Sequence, residues 1–109
     1  MVKIPESVQI VIKDYVSNLT KEINIGKVIL FGSCAKGSMH DQSDVDLAIF
    51  SDYFRGVNRI DGIRFLVLRA MDYNIDIEPL AFTMDDYEKP IGIVEEILKT
   101  GIEIPVISE

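Results

Sequence analysis

Residues 27–50 read KVILFGSCAKGSMHDQSDVDLAIF, and this stretch decides the fold. A β-rich apolar run over 27–31 ends at a turn of small residues, Gly32-Ser33, and a second apolar run carries Asp44 and Asp46. Residues two apart in a strand point to the same face, so these two carboxylates are expected side by side while the apolar residues face a core. The stretch therefore predicts two buried strands, 27–31 and 44–50, with a pair of acids at the start of the second.

This pair of acids predicts a cation site. Two carboxylates held so close repel each other unless a cation lies between them. Oxygen ligands suit Mg²⁺ or Mn²⁺, and Mg²⁺ usually lies between a few carboxylates and the phosphates of a substrate. Backbone N–H groups of the Gly32-Ser33 turn, and of a short helix expected over 34–38, are suitable donors to a phosphate. We therefore expect metal-assisted chemistry on a nucleotide.

Three longer helices are predicted around these strands. Apolar residues recur at helical spacing over 5–23, and Asn58 with Asp61 is typical of the start of a second helix. Thr83 with Asp86 is another capping pattern, and a last helix is expected over 90–100. The second helix carries an apolar stripe of the kind that packs on a core, formed by Ile60, Ile63, Val67, Ala70 and Met71.

Residues 75–82 begin with alternating apolar and acidic residues and are predicted to form a third strand, and 102–106 an edge strand. Strands thus alternate with helices, as in a single α/β domain over residues 1–109. If the second and third strands are neighbours, Asp76 or Glu78 faces the first two acids. Three acids around two cations about 3.5–4 Å apart drive in-line phosphoryl or nucleotidyl displacement.

The choice between Asp76 and Glu78 as the third ligand stays open on the residues alone. Asp76 is favoured because it stands at the centre of an apolar-acid-apolar triplet, whereas Pro79 directly follows Glu78. Either residue would otherwise be a simple surface acid, which is the more ordinary interpretation of Glu78.

The motifs resemble the signature of the minimal nucleotidyltransferases of the polymerase β superfamily. They are Gly32-Ser33, then Asp44-Val45-Asp46-Leu47, then Ile75-Asp76-Ile77. The resemblance implies an α+β fold with a mixed sheet flanked by helices, two Mg²⁺ ions, and transfer of a nucleoside monophosphate, usually AMP from ATP.

The resemblance also implies roles for individual residues. Asp44, Asp46 and Asp76 would bind the metal ions and carry catalysis, and Gly32 and Ser33 would hold the nucleotide phosphates. Lys36 would also reach a phosphate, although a solvated lysine is nearly as good an interpretation. The family commonly has Arg at the position of Cys34 or Lys36, which is a mild departure in this chain.

Family members this short look like the antitoxin half of a toxin–antitoxin pair whose partner is a small all-helical HEPN-type protein. Some of them attach AMP to a tyrosine of that partner. The expected acceptor is therefore a hydroxyl on a partner protein. Two alternatives stay open: an antitoxin that neutralises its partner by contact alone, and a subunit that modifies a small molecule such as an aminoglycoside.

Composition limits which other partners and which cellular compartment fit the chain. The chain carries 18 acidic and 11 basic residues, a net charge of −7, which opposes non-specific binding to nucleic acid. No apolar run approaches the roughly 20 residues that a membrane helix needs, and no signal peptide is evident. Cys34 is the only cysteine, which fits a reducing cytosol. A surface for a second copy or a partner, or else a core, is indicated by Ile91, Val94, Leu98 and Ile104.

Overall fold

The computed structural model of the chain describes residues 4–32 and 44–106. Ser33, Cys34, Lys36 and the short helix expected over 34–38 lie outside the described residues. The helices, in chain order, are α1 (Glu6–Thr20), a 3-10 turn (Asp52–Phe54), α2 (Arg59–Ala70), α3 (Met84–Glu88) and α4 (Ile93–Thr100). The strands are β1 (Lys27–Phe31), β2 (Val45–Phe50), β3 (Ile77–Phe82) and β4 (Ile102–Ile104).

The strands form one sheet in the order β3-β2-β1-β4. β1 is antiparallel to both β2 and β4, whereas β2 and β3 are parallel. A parallel pair needs a crossover, and α2 supplies it. The mixed sheet flanked by helices is confirmed, and so is the expected neighbourhood of the second and third strands.

The two faces of the sheet have different covers. On one face, the strands pack against α1 and α2 in the larger core cluster, where the buried hydroxyl of Tyr15 donates a hydrogen bond to the Leu66 carbonyl at 2.8 Å. On the other face, Phe50 and Phe82 stack with ring centroids 5.3 Å apart and pack with Val94 and Ile97 of α4. Helices α1 and α2 therefore pack together on one face of the sheet.

Pro79 lies on the free edge of the sheet. The N–H groups of Val45 and Ser51 donate to the carbonyls of Asp76 and Phe82, each at 2.8 Å, so even-numbered residues of β3 direct their backbone groups toward β2. Odd-numbered residues direct theirs outward, and Pro79 is one of them. Proline has no N–H to donate, so this is the side of an edge strand that tolerates it.

Two helix predictions need correction. The apolar stripe of α2 does not lie over the core as a whole, because Ile60 and Met71 are 67% and 69% exposed whereas Gly62, Leu66 and Ala70 are buried. The helix expected over 90–100 begins only at Ile93, since Gly92 with φ 60° breaks the backbone before it.

Of two other expectations, one is confirmed and the other holds only in part. The capping pattern at Thr83 and Asp86 is confirmed as a reciprocal capping box that begins α3. The apolar set in the C-terminal region is split, because Val94 is buried whereas Ile91 is 80% exposed. In the described part of the chain, no helix is both long and apolar enough to cross a membrane.

Candidate active site

Gly32 begins the site at the end of β1. Its φ of +75° is a left-handed conformation that glycine adopts at little cost. A Cβ built on Gly32 would collide with the Oδ2 atom of Asp46. Backbone conformation and close approach therefore both require glycine here, and the turn is pressed directly against the acid.

Asp46 lies in a row of side chains that crosses three strands. It pairs with Phe31 of β1 on one side and with Glu78 of β3 on the other. Residues in register on neighbouring strands point to the same face and lie about 4.8 Å apart along the hydrogen-bonding direction. The carboxylates of Asp46 and Glu78 are therefore neighbours across the parallel ladder.

Asp44 and Asp76 are the pair of residues two positions before Asp46 and Glu78. The Val45 N–H donates to the Asp76 carbonyl at 2.8 Å, and the register of β2 with β3 continues backward from Val45 and Ile77 to this pair. Because residues two apart share a face, Asp44 and Asp76 are on the same side of the sheet as Asp46 and Glu78. We call these four residues the acid row. The structure thus brings together all of the acids that the sequence proposed.

Two carboxyl groups of the acid row have pKa values raised above their ordinary range. The pKa of Glu78 is raised, first by a hydrogen bond with Asp44 and then by the charge of Asp44, with smaller effects from burial, Asp46 and Asp76. Burial and the charge of Asp44 raise the pKa of Asp46. Two carboxyl groups can share a hydrogen bond only when one of them is protonated.

The donor chemistry of the acid row fits a divalent cation. Among residues 4–32 and 44–106, no three His, Cys, Asp or Glu side chains are already arranged to hold a metal ion. Carboxylate oxygens are nevertheless the ligands that Mg²⁺ and Mn²⁺ prefer, and a cation would relieve the repulsion that raises these pKa values. Asp44, Asp46 and Asp76 or Glu78 are the residues that could hold it.

A groove runs from the acid row around the β3 edge of the sheet to α2, which packs on the opposite face of the sheet. Its volume is about 500 Å³. A smaller cavity of about 280 Å³ continues it past Val67 and Ile77 toward Met71 and Asp76. We call the first of these the α2–β3 groove; its walls are Phe31, Asp46, Ile63, Val67, Ile77, Glu78, Pro79 and Leu80.

Sequence reasoning missed this groove. The apolar stripe of α2 was the one sequence feature that pointed to the groove, because Ile63 and Val67 belong to both the stripe and the groove. Two of the arginines in or near α2 are paired with acids elsewhere: Arg55 binds Asp85 at 2.6 Å, and Arg69 binds Glu22 at 2.7 Å. Neither is part of the acid row or of the groove.

Comparison with known proteins places the chain in a family. The family model described as "Polymerase beta, Nucleotidyltransferase" matches residues 12–109. The chain belongs to this nucleotidyltransferase family. The matched region includes Gly32, the acid row and every strand of the sheet. The polymerase β nucleotidyltransferase family expected from the sequence motifs is thereby confirmed, whereas membership of its minimal, antitoxin-type group stays a prediction.

A solved structure supports the same fold for this nucleotidyltransferase domain. It is a crystal structure of a protein from Sulfolobus solfataricus described as a candidate nucleotidyltransferase. The two chains are 19% identical and superpose with a TM-score of 0.67, over 89% of this chain and 78% of the other. No curated protein sequence matches the chain.

Proposed function

We propose that the domain transfers a nucleoside monophosphate, AMP from ATP, to a hydroxyl group with the help of two Mg²⁺ ions. The acid row is the observation that supports this proposal most strongly. Asp44 and Asp46, at the start of β2, lie beside Asp76 and Glu78, at the start of the parallel strand β3, and Gly32 closely approaches Asp46. In-line nucleotidyl transfer by two metals needs such a cluster of carboxylates next to a turn that binds phosphate.

Each residue has a role in this proposal. Asp44 and Asp46 would hold the two cations, and Asp76 would be a further ligand. Bound cations would lower the pKa of the attacking hydroxyl and neutralise charge on the leaving pyrophosphate. The backbone of Gly32 and Ser33 orients the phosphates, and Lys36 adds a positive charge to them.

The acceptor in this proposal is a hydroxyl on a partner protein, and the partner is a small helical protein of the HEPN type. Resemblance to short antitoxin-type nucleotidyltransferases supports that partner. The net charge of −7 supports a protein or small-molecule acceptor over a polynucleotide. In this role the chain is the antitoxin of a toxin–antitoxin pair and silences its partner by AMPylation.

Transfer of labelled nucleotide tests the proposal. The purified chain is incubated with each labelled NTP, Mg²⁺ and a small helical protein of the HEPN type. We expect label from ATP on the partner, and its loss in Asp46→Asn. Asp61→Asn is the matched control, since Asp61 is an exposed acid of α2 that is not part of the acid row.

The outcomes separate the proposal from its rival. Label on the partner that persists in Asp46→Asn would remove the acid row from the mechanism. Tight binding of the two proteins without any label, in the wild type and in both variants, would favour neutralisation by contact.

A further inference from the structure

We infer that the α2–β3 groove binds the acceptor, and that this acceptor carries its hydroxyl on an apolar body. The inference rests on the proposed nucleotidyl transfer and names the class of molecule that receives the nucleotide. It starts from the position of the groove relative to the acid row and from the chemistry of the groove walls.

The first step concerns the direction from which the acceptor hydroxyl approaches the nucleotide. Gly32 approaches Asp46 from the β1 side, and Glu78 lies on its β3 side. In an in-line displacement, the nucleophile and the leaving group are on opposite sides of the phosphorus atom. With the pyrophosphate held at the turn on the β1 side, the attacking hydroxyl has to come from the β3 side. The α2–β3 groove opens there and ends at Asp46 and Glu78.

The second step concerns the polarity of the walls of the α2–β3 groove and its volume. Among the residues that the structure describes, those that line the groove besides its two acids are all apolar: Phe31, Ile63, Val67, Ile77, Pro79 and Leu80. A volume of about 500 Å³ is in the usual range of roughly 300–1,000 Å³ for small-molecule sites. A sugar-like polyol or polyamine would lose hydrogen bonds to water against these walls without replacing them. An aromatic or aliphatic group would bury its surface there.

The third step is the reaction itself. The acceptor oxygen forms a bond to the α-phosphorus of the nucleotide, and the bond from that phosphorus to the oxygen bridging the α- and β-phosphates breaks. Pyrophosphate leaves with the bonding electron pair. The proton of the hydroxyl is released to water by way of the carboxylates at the end of the groove. The body of the acceptor stays in the groove throughout.

A matched pair of substitutions on α2 separates the groove from the rest of the surface. Val67 is 38% exposed and lines the groove. Leu68 is 57% exposed and lines a different cleft, between α1 and α2. Val67→Gln and Leu68→Gln therefore each replace an apolar side chain with glutamine one residue apart, one inside the groove and one outside it.

The probes are 2-phenylethanol as an apolar alcohol and glycerol as a polar one, with labelled ATP and Mg²⁺. We expect AMP transfer to 2-phenylethanol with a kcat/KM about tenfold above that for glycerol. Burial of the phenyl group should strengthen binding of the acceptor by at least about a factor of ten. Val67→Gln should lower that value about fivefold to tenfold, and Leu68→Gln less than twofold. In methyl NMR spectra, 2-phenylethanol should shift the signals of Ile63 and Ile77.

The opposite results would overturn the inference. Equal use of the two alcohols, or equal effects of the two substitutions, would exclude the groove as the acceptor site. Shifts of Ile63 and Ile77 caused by a non-hydrolysable ATP analogue, and not by 2-phenylethanol, would assign the groove to the nucleobase. Failure of the proposed function is distinct: the Mg²⁺–ATP analogue would then bind neither the wild type nor Val67→Gln.

Discussion

Asp46 and Glu78 lie directly opposite each other on two parallel strands, and the carboxyl groups of both have raised pKa values. Such a pair opposes folding unless something positive joins it. The sheet nevertheless holds both acids on one face together with Asp44 and Asp76. Stability is thus given up at this point of the fold, as is common at sites shaped for binding or catalysis.

Asp46→Asn is expected to make the metal-free protein more stable. Because the pKa of Asp46 is raised on folding, its ionised form costs free energy in the folded state. That cost is absent below the unfolded pKa and complete above the folded one, so it is present at pH 7. Solvent screening keeps the gain small, with a rise in Tm of about 2–5 °C at pH 7.

Thermal unfolding at pH 7 and pH 3 measures this effect, with Asp61→Asn as the control. The gain should vanish at pH 3, where the wild-type carboxyl is protonated. Mg²⁺ should raise the Tm of the wild type and leave Asp46→Asn unchanged. An Asp46→Asn protein that is less stable than the wild type at pH 7 would mean that the carboxylate makes a stabilising contact.

Asp76→Asn and Glu78→Gln form the second test. Both residues belong to the acid row: in strand register Asp76 is opposite Asp44 and Glu78 is opposite Asp46, while the Glu78 side chain also forms a hydrogen bond with Asp44. If Asp76 is the third metal ligand, Asp76→Asn should lower kcat at least about a hundredfold, since a misplaced reacting group alone costs that much. Glu78→Gln should cost less than about tenfold. The reverse order of the two kcat values would make Glu78 the third ligand.

Gly32→Ala tests the contact between the turn and Asp46. Gly56 has nearly the same φ, +77°, but a Cβ there meets no atom within 4 Å. Gly56→Ala should therefore show backbone strain alone, about 1 kcal/mol in the free energy of unfolding. Gly32→Ala adds the collision with Asp46 and should cost about 2–3 kcal/mol, with transfer lowered about a hundredfold.

Urea unfolding and the transfer assay measure both glycine variants. Equal stability losses and equal activities would show that the turn moves away from Asp46 at no cost. In that case the close approach of Gly32 would have no part in the site.

Tyr15→Phe tests how firmly α2 is held against α1. The Tyr15 hydroxyl is buried and donates to the Leu66 carbonyl, whereas the Tyr73 hydroxyl donates to Asp14 at an exposed position. Tyr15→Phe should lower the free energy of unfolding by about 1 kcal/mol. Tyr73→Phe should lower it by less than about 0.5 kcal/mol, since water replaces an exposed partner. Equal losses in urea unfolding would contradict this difference.

Strand predictions succeeded where the local signal was strong. Residues 27–31 form β1 with the bounds expected from the sequence, and β2 begins one residue later than predicted. The helix expected over 5–23 ends at Thr20, although Ile23 is still buried beyond it. Hydrophobic spacing predicts burial, and burial continues into the turn that follows the helix.

The candidate site was predictable as a set of acids but not as a cavity. Spacing along one strand places Asp44 and Asp46 together, and the neighbouring strand adds Asp76 and Glu78 once the pairing is known. The period of α2 shows which residues share a side of the helix, but its rotation relative to the sheet is set by tertiary packing. Gly62 fixes that rotation by its close approach to Ala81 and Phe54, and sequence alone does not reveal these partners.

Pro79 has a consequence for assembly. A sheet edge that offers a full set of donors can recruit a strand from another chain, which leads to fibres and unwanted pairing. In β3 the proline removes the central donor of the outward-facing side, between Ile77 and Ala81. A protein that joins the domain at the β3 edge therefore gains little from lengthening the sheet there, and recognition on that side depends on side-chain fit. The proline that borders the groove thus also opposes pairing of a second chain with β3.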